Sequence, residues 1–127
     1  MEYLNGKKWN GKGKEYNYNG KLKFIGEYLN GERNGKGREY YDNGKLEFEG
    51  EYLNGLKNGK GKEYDDYDGQ LIFEGEYLNG QRWNGKGKEY SNCNRLIFEG
   101  EYLNGERNGK GKRYNYDNDK LGFTFYI

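Results

Sequence analysis

The stretch Leu46-Glu47-Phe48-Glu49-Gly50-Glu51-Tyr52-Leu53-Asn54-Gly55 decides the fold. Up to Tyr52 it alternates an apolar residue or glycine with glutamate. That two-residue period belongs to a strand with two unlike faces. It ends in Asn-Gly, the strongest short hairpin signal, because a type I′ turn needs two residues at positive φ. Helix is a poor reading. Glycine every few residues costs roughly 1 kcal/mol each against alanine, and no apolar stripe of helical period is present.

The same stretch recurs along the chain. Glu-Tyr-Leu-Asn-Gly begins at Glu2, Glu27, Glu51, Glu76 and Glu101. Asn-Gly-Lys-Gly follows at Asn10, Asn34, Asn58, Asn84 and Asn108. Leu-x-Phe closes each unit at Leu22, Leu46, Leu71, Leu96 and Leu121. A fixed period of this length marks a repeat array. One array is expected, with units near residues 2–26, 27–50, 51–75, 76–100 and 101–127 and a capping last strand. Trp9 and Trp83 are single insertions within units one and four, and units three and five gain a residue in the other connection. Insertions confined to the joins leave the blocks as strands. The expected fold is all-β, a single-layer antiparallel meander of about ten strands. Long strands are placed near 21–29, 45–53, 70–78, 95–103 and 120–127, with short ones after each Asn-Gly-Lys-Gly block.

A turn at Asn43-Gly44 sets a register. Tyr41 then faces Leu46, Glu39 faces Phe48, Gly37 faces Gly50, and Gly35 faces Tyr52. Closing the next hairpin from Asn54 to Gly59 brings Leu53 opposite Lys60 and Glu51 opposite Lys62. Glu51 is thereby expected between Lys36 and Lys62. Units with an extra residue are expected to keep this register through three-residue loops. One face then carries Leu46, Phe48 and Tyr52 beside Gly35, Gly37, Gly50 and Gly61. The glycines leave hollows that cross-strand rings can fill. The other face carries alternating Glu and Lys, with Tyr40, Tyr64 and Leu53 among them. Opposite-charge cross-strand pairs contribute about 0.2–1 kcal/mol each.

Composition narrows the function. The 127 residues hold 22 basic and 21 acidic side chains, a net charge of +1, which opposes a dedicated nucleic-acid binder. Ala, Val, Pro and His are absent, so leucine and the 18% of aromatic residues must do the burying. No His and one Cys leave no His-based catalysis, no usual zinc site and no disulfide framework. Neither a signal peptide nor a membrane span is read, and a cytoplasmic location is expected. The Gly-Lys-Gly-Lys blocks lack the spacing of a phosphate-binding loop. Paired carboxylates recur in every unit, so no pair stands out as catalytic. No catalytic residue, cofactor or metal site is expected. Cys93, in a turn where Asn-Gly stands elsewhere, reads as incidental.

Phe-Glu-Gly-Glu-Tyr-Leu-Asn-Gly followed by Asn-Gly-Lys-Gly-Lys resembles the MORN repeat (membrane occupation and recognition nexus). Tyr41-Asp42-Asn43-Gly44-Lys45-Leu46 resembles its bacterial variant. The resemblance covers nearly the whole chain and implies β-hairpins forming one long, twisted, groove-shaped sheet. The chain departs from the usual repeat at Glu15, Glu39, Glu63, Glu89 and Arg113, where an aromatic is usual. In the last unit Phe125 takes the place of the hollow-forming glycine, which reads as a cap.

The family resemblance implies assembly and tethering. A non-catalytic scaffold is therefore expected, binding a protein through an aromatic groove of Phe24, Tyr28, Phe48, Tyr52, Phe73, Tyr77, Phe98 and Tyr102, or through a terminal edge of Phe123, Phe125, Tyr126 and Ile127. The protein partner is not named by the sequence. A homodimer through the C-terminal strand is the edge version of this expectation. The alternative is peripheral binding of anionic lipid headgroups by the lysines Lys12, Lys36, Lys60, Lys86 and Lys110, which the balanced charge opposes. Some members of the bacterial variant are described as antitoxins, a third role of protein-binding type. Nucleic acid is not an expected partner.

Overall fold

The computed structural model describes residues 9–117 and 120–126; the side chains described end at Tyr114 and leave out residues 109, 110 and 113. Ten strands run in chain order: β1 Gly11–Tyr16, β2 Leu22–Leu29, β3 Glu32–Tyr40, β4 Leu46–Leu53, β5 Leu56–Tyr64, β6 Leu71–Leu78, β7 Gln81–Tyr90, β8 Leu96–Leu103, β9 Glu106–Asp117 and β10 Lys120–Tyr126. They form one sheet in that same order, each strand antiparallel to the next. The even-numbered strands fall within a residue or so of the expected long strands. The odd-numbered ones are longer than expected, because β3, β5, β7 and β9 begin before the Asn-Gly-Lys-Gly block.

The reason is that one dipeptide does three different jobs. At Asn30-Gly31, Asn54-Gly55, Asn79-Gly80 and Asn104-Gly105 both residues have positive φ, and Leu53 pairs directly with Leu56. These are the two-residue hairpins that Asn-Gly favours. At Asn43-Gly44 only the glycine is left-handed, with φ 88°. The Tyr41 N–H donates to the Lys45 carbonyl and the Gly44 N–H to the Tyr41 carbonyl, so the loop has three residues. Tyr40 therefore pairs with Leu46, and Glu47 is the extra residue of a bulge. At Asn58-Gly59 there is no turn. Asn58, Gly59 and Lys60 bulge opposite Glu51, between the pairs Tyr52–Lys57 and Gly50–Gly61.

The central register of the β3–β4 hairpin is as expected, with Glu39 opposite Phe48, Gly37 opposite Gly50 and Gly35 opposite Tyr52. The next hairpin differs. Lys62 pairs with Glu49, not Glu51. Glu51 faces Lys36 on one side, and on the other its carboxylate accepts the Lys60 backbone N–H at 2.9 Å. Trp83 also overturns a constant register. Glu76 pairs with Asn84 and Phe73 with Gly87, whereas Phe48 pairs with Glu63. β7 has slid two residues along β6 in place of forming the wide bulge. In the last hairpin Phe125 pairs with Lys112 and Tyr126 with Gly111, so Phe125 does not occupy the glycine row as expected. Ile127 and the first strand-like stretch, Met1–Leu4, lie outside the described residues.

Candidate binding surface

The two faces of the sheet have opposite characters. Phe24, Phe48, Phe73 and Phe98 are fully buried, and Tyr52, Tyr77 and Tyr102 are nearly so. Tyr28 is half-buried against them. Each phenylalanine lies in a glycine hollow: a Cβ on Gly37 would come within 2.5 Å of the Phe24 ring, and one on Gly61 within 2.5 Å of Phe48. The rings form an edge-to-face column, Phe24 to Tyr52 at 5.3 Å, Phe48 to Tyr77 at 5.0 Å and Phe73 to Tyr102 at 5.5 Å. Such pairs add roughly 0.5–1.5 kcal/mol beyond the area they bury. The column is what gives a one-layer sheet a core.

A layer of charge closes this face from above. Arg33 lies 4.1 Å from the Phe24 centroid, Lys57 4.5 Å from Phe48, Arg82 4.8 Å from Phe73 and Arg107 4.7 Å from Phe98. The arginines also grip the preceding unit. Arg33 donates twice to Glu15 at 2.9 Å, and Arg82 donates to both oxygens of Glu63. The same carboxylates accept the tyrosine hydroxyls, Tyr28 to Glu15, Tyr52 to Glu39, Tyr77 to Glu63 and Tyr102 to Glu89. The glutamates that stand where an aromatic is usual thus bind unit to unit. Hydrogen bonds from Arg33 hold Glu15 below the usual carboxylate range, and those from Arg107 do the same for Glu89. Burial pushes Glu63 up, but Arg82 outweighs it and the net direction is down. The tyrosines are pushed up, first by burial and then by these carboxylates.

The expected groove aromatics are therefore core. Seven of the eight are buried, and the hollow of the sheet lies on the opposite face. A cavity of about 900 Å³ crosses six strands, from Lys12 on β1 to Glu76 on β6. Its charged lining is five cations, Lys12, Lys36, Arg38, Lys60 and Lys62, and five carboxylates, Glu27, Glu49, Glu51, Glu74 and Glu76. Arg38 approaches Glu49 to 3.5 Å and Lys62 approaches Glu74 to 3.9 Å. A second hollow of about 380 Å³ continues the face over Glu74, Lys86, Lys88, Glu99 and Glu101. Tyr64 donates its hydroxyl to Glu49 at 2.9 Å, which puts the Tyr40 and Tyr64 row on this face as the register requires. Leu29, Leu53, Leu78 and Leu103, beside the hairpin turns, are exposed.

The repeated geometry has a counterpart among known families. The MORN repeat family model matches residues 24–45, 48–70 and 98–120, just over half of the chain. The chain belongs to the MORN repeat family. The stretch of this MORN array left between the second and third matches contains Trp83, where β7 slips. No curated protein matches the chain. MORN repeats are a non-catalytic family associated with protein or membrane interactions. Among the described residues no group of carboxylates and Cys93 is placed to hold a metal ion. No described helix is long and apolar enough to cross a membrane.

The inter-unit cations were missed by sequence reasoning, though a signal for them exists. Arg33, Lys57, Arg82 and Arg107 each stand two residues after the glycine of a turn. The side chains of Phe123, Phe125 and Tyr126 lie outside the described set, as does Ile127 entirely.

Proposed function

We propose that this MORN array is a non-catalytic scaffold that binds a protein on its Lys/Glu face. The observation that carries the reading is the 900 Å³ hollow lined by equal numbers of cations and carboxylates. A surface for anionic lipid would carry an excess of positive charge within a Debye length of the membrane. Here every basic strand is neutralised by its acidic neighbour, which favours a protein partner over a headgroup layer. The aromatic side offers its carboxylates and guanidiniums to one another, so it presents little unsatisfied surface. A cytoplasmic location and the absence of catalysis remain part of this proposal.

The test uses Lys36→Glu combined with Lys60→Glu, two exposed positions in the hollow. Loss of a partner recovered from the native source, with unchanged melting, supports the reading. Cosedimentation of the wild type with phosphatidylserine vesicles, abolished by the same variant, would move the function to a membrane.

A homotypic contact through β10 is proposed as a second interface. Among the described strands β10 has a single neighbour, β9, and a strand edge without a partner invites pairing. Light scattering that gives a monomer at all concentrations would reject it.

A further inference from the structure

On the reading that the Lys/Glu face is the interaction face, we infer that its hollow takes an extended, proline-containing peptide in polyproline II conformation, carrying an acidic and a basic residue in each turn. The charges of this face lie in stripes parallel to the strands. β3 carries Lys36 and Arg38, β4 carries Glu49 and Glu51, and β5 carries Lys60 and Lys62. Neighbouring strands are about 4.8 Å apart, so like stripes repeat every ~9.6 Å across the sheet. Polyproline II has three residues per turn at 3.1 Å each, a repeat of about 9.3 Å. A segment crossing the strands meets a basic stripe and an acidic stripe once in every turn.

The hollow runs across six strands, which span about 24 Å. An extended chain of about eight residues fits the length.

A row of tyrosines borders the charged lining at one end of the strands and offers ring contacts for proline. Tyr16, Tyr40 and Tyr64 end β1, β3 and β5, every second strand, and so repeat at the same ~9.6 Å. Tyr16 is 57% exposed, and the Tyr64 hydroxyl reaches the hollow through Glu49. Aromatic side chains beside a groove favour polyproline II because the ligand is already ordered.

The experiment is fluorescence anisotropy with a labelled peptide of four Pro-Glu-Lys repeats. A peptide of four Gly-Glu-Lys repeats has the same charge and neither ring nor order. The proline peptide is expected to bind at least about tenfold more tightly than the glycine peptide, through preorganisation. Its affinity should fall several-fold in high salt and in Lys60→Glu, while Tyr64→Phe, which keeps the ring, stays close to wild type. Equal affinities, or no anisotropy change with either peptide, overturn the inference. If neither peptide binds while a native partner still depends on Lys36 and Lys60, the ligand class is wrong and the binding face stands.

Discussion

The guanidinium of Arg33 sits 4.1 Å over the ring of Phe24 while its Nε and Nη2 donate back to the two oxygens of Glu15. The same relationship recurs with Arg82, Phe73 and Glu63. The intervening layer has Lys57 over Phe48, and a lysine has no planar fork to offer Glu39. Lys57→Arg is expected to supply the missing bidentate pair and to stabilise the protein by about 0.5–1 kcal/mol. A urea unfolding midpoint that falls on this substitution would show that the layers are not equivalent.

Glu47 is the weak point of the same layer. It is the extra residue of a bulge and comes near Glu39, Glu63, Asp66 and Lys57. Burial raises its pKa, and the charge on Glu39 adds to the rise. A carboxyl whose folded pKa is raised gives stability at low pH that is lost as pH climbs through the folded value. Glu47→Gln is therefore expected to raise the Tm at pH 7, on the order of 2 °C, and to make no difference near pH 3. Glu15 and Glu89 act in the opposite sense. Their lowered pKa values give stability above the usual carboxylate range that is lost on acidification. Thermal melts across pH 3–8 check both directions.

Two glycines separate space from strain. Gly37 lies in the hollow under Phe24, and Gly37→Ala would drive a methyl to 2.5 Å from the ring. Overpacking of this kind costs about 1–3 kcal/mol. Gly44 faces open space but has φ 88°, so Gly44→Ala meets backbone strain alone, about 1 kcal/mol. Calorimetry should rank Gly37→Ala as the more destabilising. The reverse order would mean that the ring column can shift to admit a methyl.

The face assignments were legible because strand alternation has a fixed period. Phe48 and Tyr52 on one side and Glu49 and Glu51 on the other followed from it, as did the glycine hollows. The bulges were not legible. Asn54-Gly55 and Asn58-Gly59 read identically, and only the stacking of units distinguishes them. The Gly55 N–H donates to the Arg33 carbonyl of the preceding unit, and the Asn34 side-chain oxygen accepts the Asn54 N–H. Those contacts are long-range, so a local reading of turn residues cannot weigh them. The burial of the aromatic face was not legible for a related reason. Alternation gives the two faces without saying which one is covered, and the arginines that cover the aromatic face arrive from the next unit.

Those turn contacts also decide how the Asn-Gly pairs of the described residues will age. Deamidation begins when the glycine nitrogen attacks the asparagine side-chain carbonyl; ammonia leaves, and water then opens the imide to aspartate or isoaspartate. The attacking nitrogen must lose its proton and approach that carbonyl. In the hairpin turns the nitrogen is engaged, as in Gly31 to Trp9 and Gly80 to Lys57, both at 2.9 Å. In the bulges the side-chain oxygen is engaged, as in Asn58 accepting from Asn79 at 3.3 Å. Asn43 is held twice, accepting from Lys45 and donating to the Asp66 carbonyl. Among the described pairs Asn19 is the exception. Its turn is exposed, Gly20 has open space around it, and no hydrogen bond fixes its side chain, although the Gly20 nitrogen is bonded to Asn17. The described pairs are therefore ranked and not equivalent. Peptide mapping by mass spectrometry after weeks at mildly alkaline pH should find the gain of about one dalton first at Asn19, and much later at Asn30, Asn54 and Asn79. Equal rates at Asn19 and Asn54 in the folded protein would show that the turn hydrogen bonds do not restrain the backbone. Unfolding the chain in urea should erase the ranking, since it is the stacking of units that imposes it.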